Sequence, residues 1–121
     1  MAAEIQSYPP PTELPAMRSG EIDGRYLDCT PALAPVGDRF SAIPSVEITR
    51  IDTTPMNTDG TDLILAGSAW INDMDETGRI PTYGFHAGTS IATYLIRVTS
   101  STTQGRLFIR DWKMSVLPAE G

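Results

Sequence analysis

The sequence predicts an all-β protein, a sandwich of antiparallel strands, and three observations carry that prediction. Residues 91–116 alternate in two facing sets on either side of a Ser/Thr/Gly turn. Short runs rich in β-branched and aromatic residues recur along the chain, punctuated by turn chemistry about every 8–12 residues. No stretch carries the apolar period of an amphipathic helix; the one ambiguity is a short helix at 67–73. The length of 121 residues, 40% of them apolar and 20% charged, suits one globular domain with a lean core.

The elements follow in chain order. Seven of the ten prolines lie in residues 1–44, and Tyr8-Pro9-Pro10-Pro11 and Leu14-Pro15 fall in the first nineteen residues. Proline fixes φ and pushes the preceding residue to extended backbone. Residues 1–19 therefore read as an extended arm, either a frayed terminus or a segment docked on a neighbouring subunit. Ile5, Tyr8, Leu14 and Met17 are its apolar anchors. On the docked reading, deleting residues 2–17 leaves a folded monomeric sandwich that fails to assemble.

The sandwich itself spans 20–117. Ile22 and Tyr26 mark a first strand near 21–29, with Gly24 as a bulge or bend. The alternation of Val46, Ile48 and Arg50 with Glu47, Thr49 and Ile51 marks a strand near 45–52. Asp59-Gly60 is a tight-turn signal. Leu63-Ile64-Leu65 begins a strand that can run on through Ala69-Trp70-Ile71, and residues 72–78 form an acidic turn. A strand near 79–85 carries Pro81, which marks it as an edge.

The closing hairpin has the clearest pattern. Ile91, Thr93, Leu95, Arg97 and Thr99 face one way, and Ala92, Tyr94, Ile96 and Val98 the other. After the turn at 100–105, Leu107, Ile109, Asp111 and Lys113 alternate with Phe108, Arg110, Trp112 and Met114. Both faces are partly apolar, so alternation alone leaves open which one is core; Trp112 or Tyr94 is favoured as the inward aromatic. Pro118 stops the last strand, leaving 118–121 as a tail. This strand count suits an immunoglobulin-like sandwich, a fold that needs no disulfide.

Composition narrows the function. The net charge is −6, from 9 basic and 15 acidic residues, which argues against nucleic acid and against an anionic membrane surface. No apolar run has spanning length. The opening residues lack a basic and then apolar leader pattern, and a single cysteine, Cys29, cannot form an internal disulfide; both suit synthesis in a reducing cytoplasm. One histidine and one cysteine exclude His/Cys metal clusters.

Other groupings have an ordinary reading beside the chemical one. Asp73, Asp75 and Glu76 can be written as oxygen ligands for Ca²⁺, with Asp59 and Asp62 added if the turns meet. Their spacing matches no complete calcium loop, and a solvated acidic turn is the reading taken. His86, Ser90 and an Asp can be written as a triad, without the strand–turn–helix elbow such a nucleophile needs. Cys29 reads as a small buried hydrophobe. No catalytic residue, cofactor or metal is expected.

Gly20-Glu21-Ile22-Asp23 followed by Tyr26-Leu27-Asp28 resembles the acidic, aromatic opening strand of small tailed-bacteriophage fiber and fiber–tail adaptor proteins. The closing part is similar as well: Ala87-Gly88-Thr89-Ser90, then Ala92-Thr93-Tyr94-Leu95-Ile96-Arg97-Val98-Thr99, then Ser100 to Leu107 with its Gly105-Arg106. The likeness covers about residues 20–117. It departs at Cys29, where the family often has Trp, and at Ser45-Val46-Glu47-Ile48.

The resemblance implies an immunoglobulin-like structural virion protein without catalysis. It would stand in many copies, as a homo-oligomeric ring at the portal–tail junction, joining tail adaptor, portal, fibres or major capsid protein. Interface candidates are Ile5, Tyr8, Leu14, Met17, Trp70, Arg97, Arg110 and Trp112. The alternatives are a capsid decoration protein, a ligand- or carbohydrate-binding β-sandwich module with Trp70 on an aromatic platform, and, last, a small hydrolase.

Overall fold

The computed structural model describes residues 10–57, 61–67 and 70–119. The alternating segments pair into two sheets that close on one hydrophobic core, so the all-β sandwich expected from the sequence is the fold.

The first sheet is built on the closing hairpin. Strand β9 (Leu107–Leu117) pairs antiparallel with β8 (Thr93–Ser101), and β8 pairs antiparallel with β4 (Ser45–Arg50). The outer edge of β9 is covered by two short parallel strands, β1 (Thr12–Glu13) and β2 (Met17–Arg18). The second sheet is antiparallel and centred on β7 (Pro81–His86). Strand β3 (Ile22–Tyr26) lies along one edge of β7; β5 (Ile64–Leu65) and β6 (Asp73–Met74) lie end to end along the other.

The register of the hairpin settles which face is core. Ile96 stands opposite Trp112 and Tyr94 opposite Met114. These four, with Val98, Phe108 and Val116, are buried against Tyr83 and Phe85 of β7. Phe108 also meets Phe40 edge to face, with centroids 5.1 Å apart and an interplanar angle of 87°. Leu95, Arg97, Ile109, Asp111 and Lys113 take the outer face. There Arg97 grips Asp111 across the strands with bonds of 2.8 and 3.0 Å. Side chains of a strand alternate by backbone geometry, so Arg110 and Asp111 project to opposite sides as the sequence predicts.

Four expectations need correction. The strand with Pro81 is the centre of its sheet, not an edge. Proline is tolerated because it opens the strand, where its carbonyl accepts from the Leu27 amide at 2.9 Å and no ladder donor is required of it. Gly24 is no bulge: the register from Ile22↔His86 to Tyr26↔Thr82 is unbroken. The strand at 63–65 does not continue through Trp70, and the acidic turn contributes β6. Finally, a helical turn, α1 (Thr30–Leu33), runs into a 3-10 turn at Ala34–Val36. Pro31 fits its first turn, where no intrahelical donor is lost. With Leu33 as its one fully buried residue, α1 is too short to show a helical period.

The arm also differs from its expected form. Residues 10–19 dock on their own domain. The Leu14 amide donates to the Lys113 carbonyl at 2.8 Å, and the Ser19 amide to that of Leu117 at 2.9 Å. One residue later the chain changes sheets: the Gly20 amide donates to Ala87 at 2.8 Å, at a φ of 89° that favours glycine. The Arg25 guanidinium laces the arm to β3, donating to the carbonyls of Pro15 and Ala16 at 3.0 Å each. Met17 is fully buried in the core of its own chain.

Candidate functional site

The outer face of the second sheet carries the most distinctive surface of the molecule. Strand pairing sets it out in three rows: Ile22–His86–Ile64, Gly24–Gly84, and Tyr26–Thr82–Asp73. The middle row has no side chains of its own. Trp70 fills it, with the five-membered end of its indole over Gly84 and the six-membered end over Gly24. A β-carbon at either glycine would overlap the ring. The indole thus lies flat across two paired strands, one face against backbone.

The loop that delivers Trp70 accounts for the break between β5 and β6. The Ala66 amide donates to the Gly84 carbonyl at 2.9 Å, after which the chain leaves the sheet. The Gly84 amide, left without a strand partner, donates to Asn72 Oδ1 at 3.1 Å. The buried backbone donor is therefore satisfied by a side chain while the loop makes its excursion. Ile71 ends up 88% exposed and Tyr26 73% exposed.

Beside this ring lies an open groove of about 580 Å³, lined among others by Tyr26, Asp28, Trp70, Ile71, Asp73 and Thr82. One oxygen of Asp28 accepts from the Thr30 amide at 2.9 Å, and one of Asp73 from the Met74 amide at 2.8 Å. Their second oxygens have no protein donor among the described residues. Asp75, also at the groove, is fully used: it accepts from the Thr77 hydroxyl and the Arg79 and Ile80 amides, which closes the turn. The Thr77 hydroxyl foremost, with these amides, holds its pKa below the usual carboxylate range.

A second cleft, of about 310 Å³, lies between the arm, α1 and β9 and is lined by Pro10, Asp28, Cys29, Pro31, Arg110 and Trp112 among others. Arg110 lies over the Phe108 ring at 5.1 Å and donates to the Ile109 carbonyl at 2.8 Å. Burial pushes the Cys29 thiol up to about 12, so it is a packing group rather than a nucleophile.

Two carboxylates are buried among the described residues, and both are structural. Asp62 accepts from the Tyr94 hydroxyl and the Asn57 amide at 2.8 Å each, and from Arg50 at 3.2 Å. Asp38 accepts from the Arg39 and Gln104 amides, the Thr103 hydroxyl and the Arg106 guanidinium, tying the β8–β9 turn to the segment after α1. Burial alone would raise both pKa values, but these donors outweigh it and hold each below the ordinary carboxylate value. A depressed folded-state pKa adds stability that is present above the unfolded value of about 4 and is lost as pH falls below it. Urea midpoints are accordingly expected to be flat near neutrality and to drop below about pH 4. Asp62→Asn should lower the neutral plateau and flatten that acid limb; an unchanged limb would count against this assignment.

The remaining sequence candidates fall as follows. Ile5, Tyr8 and Asp59 lie outside the described residues. Leu14 is half-buried against the core, and Met17 and Trp112 belong to it, so neither of the last two is a free surface anchor. Trp112 is only 5% exposed, in keeping with its place as an inward aromatic. Arg97 is on the outer face of the first sheet, Arg110 at the cleft beside α1, and Trp70 on the opposite sheet, so the structure does not gather them into one interface. Among the described residues, no three His, Cys, Asp or Glu side chains are grouped to hold a metal. Asp62 joins the Tyr94 network rather than the acidic turn. No hydrogen bond links His86 to Ser90; the Ser90 amide donates to Thr61 and its carbonyl accepts from Tyr94. No helix among the described residues is long and apolar enough to cross a membrane.

Sequence reasoning did not connect Tyr26 with Trp70. The signal available was a glycine inside each of two strand-like runs, Gly24 and Gly84, which also marks close approach of another group to the backbone. Comparison with family models, curated proteins and solved structures finds no match to this chain.

Proposed function

We propose that the protein is a structural component of a tailed-bacteriophage virion: a multi-copy, immunoglobulin-like adaptor at the portal–tail junction that links tail, fibres or capsid. The work is adhesion rather than catalysis. The observation that carries this reading is the outer face of the second sheet. Ile22, Tyr26 and Ile71 are exposed there around the half-buried Trp70, with no element of the described residues over them. A clustered apolar surface of this kind marks an interaction site. The resemblance over residues 20–117 supplies the setting, and the two-sheet body is consistent with it. The outer edge of β4 has no strand beside it among the described residues, an edge open to pairing with another chain.

Purified particles of the phage encoding this chain should contain it. Quantitative mass spectrometry would count its copies, and cross-linking would name its neighbours. A ring's worth of copies cross-linked to portal or tail protein is expected. A shell's worth cross-linked to the major capsid protein would favour the decoration reading, and absence from the particle would reject both.

A further inference from the structure

We propose that the Trp70–Tyr26 groove is a binding site for a neutral saccharide. The groove lies on the face that also carries the virion reading, but the two are tested apart: glycan binding by the isolated chain here, presence in the particle there.

The first support is the ring itself. An indole normally buries its edges and both faces when it serves a core. Here one face lies on Gly24 and Gly84 and the ring lines an open groove. Its plane is held along the sheet by two positions that tolerate no β-carbon, a costly arrangement for a merely surface-exposed residue. A π face carries partial negative charge, which attracts the weakly positive C–H hydrogens on the flat side of a pyranose ring. Tyr26, in the next row of the sheet, adds a second exposed ring.

The second support is the set of polar groups around the platform. Asp28 and Asp73 each keep one acceptor oxygen without a protein donor among the described residues. Tyr26 and Thr82 line the same groove, and their side-chain hydroxyls can both donate and accept. Sugar hydroxyls also donate and accept, so they match the whole set. A lysine or arginine side chain, which only donates, would use the carboxylates and the rings but could not accept from the two hydroxyls. An anionic sugar would meet two carboxylates, with no arginine or lysine among the described residues that line the groove. The volume of about 580 Å³ lies in the range of small-molecule sites.

The test uses the full chain against an array of neutral and anionic oligosaccharides, with an arginine-rich peptide as a separate arm. At least one neutral oligosaccharide should be retained. In solution it should quench tryptophan fluorescence saturably, with Kd on the order of 1 mM or tighter. Trp70→Ala should weaken binding at least about tenfold. Gly84→Ala keeps every side chain of the groove but displaces the indole, and should weaken it similarly. Asp73→Asn, on the surface, should weaken it several-fold and decides the matter if the other two variants fold poorly. Retention of no neutral glycan overturns the proposal. So does binding indifferent to all the variants that fold, and so does Trp70-dependent binding of the peptide without any glycan.

Discussion

Trp112→Ala should destabilise the domain by about 3–5 kcal/mol, the usual cost of removing a large buried aromatic. The ring is 5% exposed, belongs to the core and stands across from Ile96. Its loss removes apolar burial and leaves a cavity that the flanking β-strands, bonded on both sides, cannot close. Leu107→Ala, on the same strand but 68% exposed, should change stability by no more than about 0.5 kcal/mol. Urea denaturation of the two variants at neutral pH checks the pair. Equal costs would mean that the hairpin does not sort its residues by face as the register states.

The second large effect concerns the arm. Met17→Ala should cost about 2–5 kcal/mol, because a fully buried methionine is removed from the core. Deleting residues 2–17 should cost more than that single change. It also uncovers the β9 edge and takes from Arg25 the Pro15 and Ala16 carbonyls it donates to. A buried or half-buried donor that loses its acceptor is penalised beyond the lost bond. Hydrogen exchange gives a local readout, since protection should fall first at β9 amides opposite the arm. A truncated chain as stable as the whole would show that the arm is an accessory. With Met17 buried in its own core, a destabilised truncated chain is expected in place of an intact sandwich.

Parts of the candidate site could be read in advance and parts could not. The sequence marks Trp70 as an interface or platform aromatic and the acids of 72–78 as a turn. It marks Gly24 as a bulge or bend, because an isolated strand glycine has several causes and only the position of residue 70 selects among them. Tyr26 has the pattern of an ordinary strand aromatic. Its exposure depends on which side of β3 faces β8 and β9, and five residues of mixed polarity cannot specify that.

The sequence by itself determined what is local. The strands 45–50, 93–101 and 107–117, the turn between the last two and the all-β class follow from a period of two, β-branched residues and turn chemistry, all acting over a few neighbouring residues. Only the tertiary structure decided the inward face of the hairpin, the central place of β7, the docking of the arm in its own chain and the seating of Trp70 on Gly24 and Gly84. Each of these is a contact between segments distant in sequence. A strand with apolar residues on both faces satisfies its own backbone either way up. The choice is made when the second sheet arrives and buries Tyr94, Ile96 and Trp112 together, leaving the Arg97–Asp111 pair on the outer face.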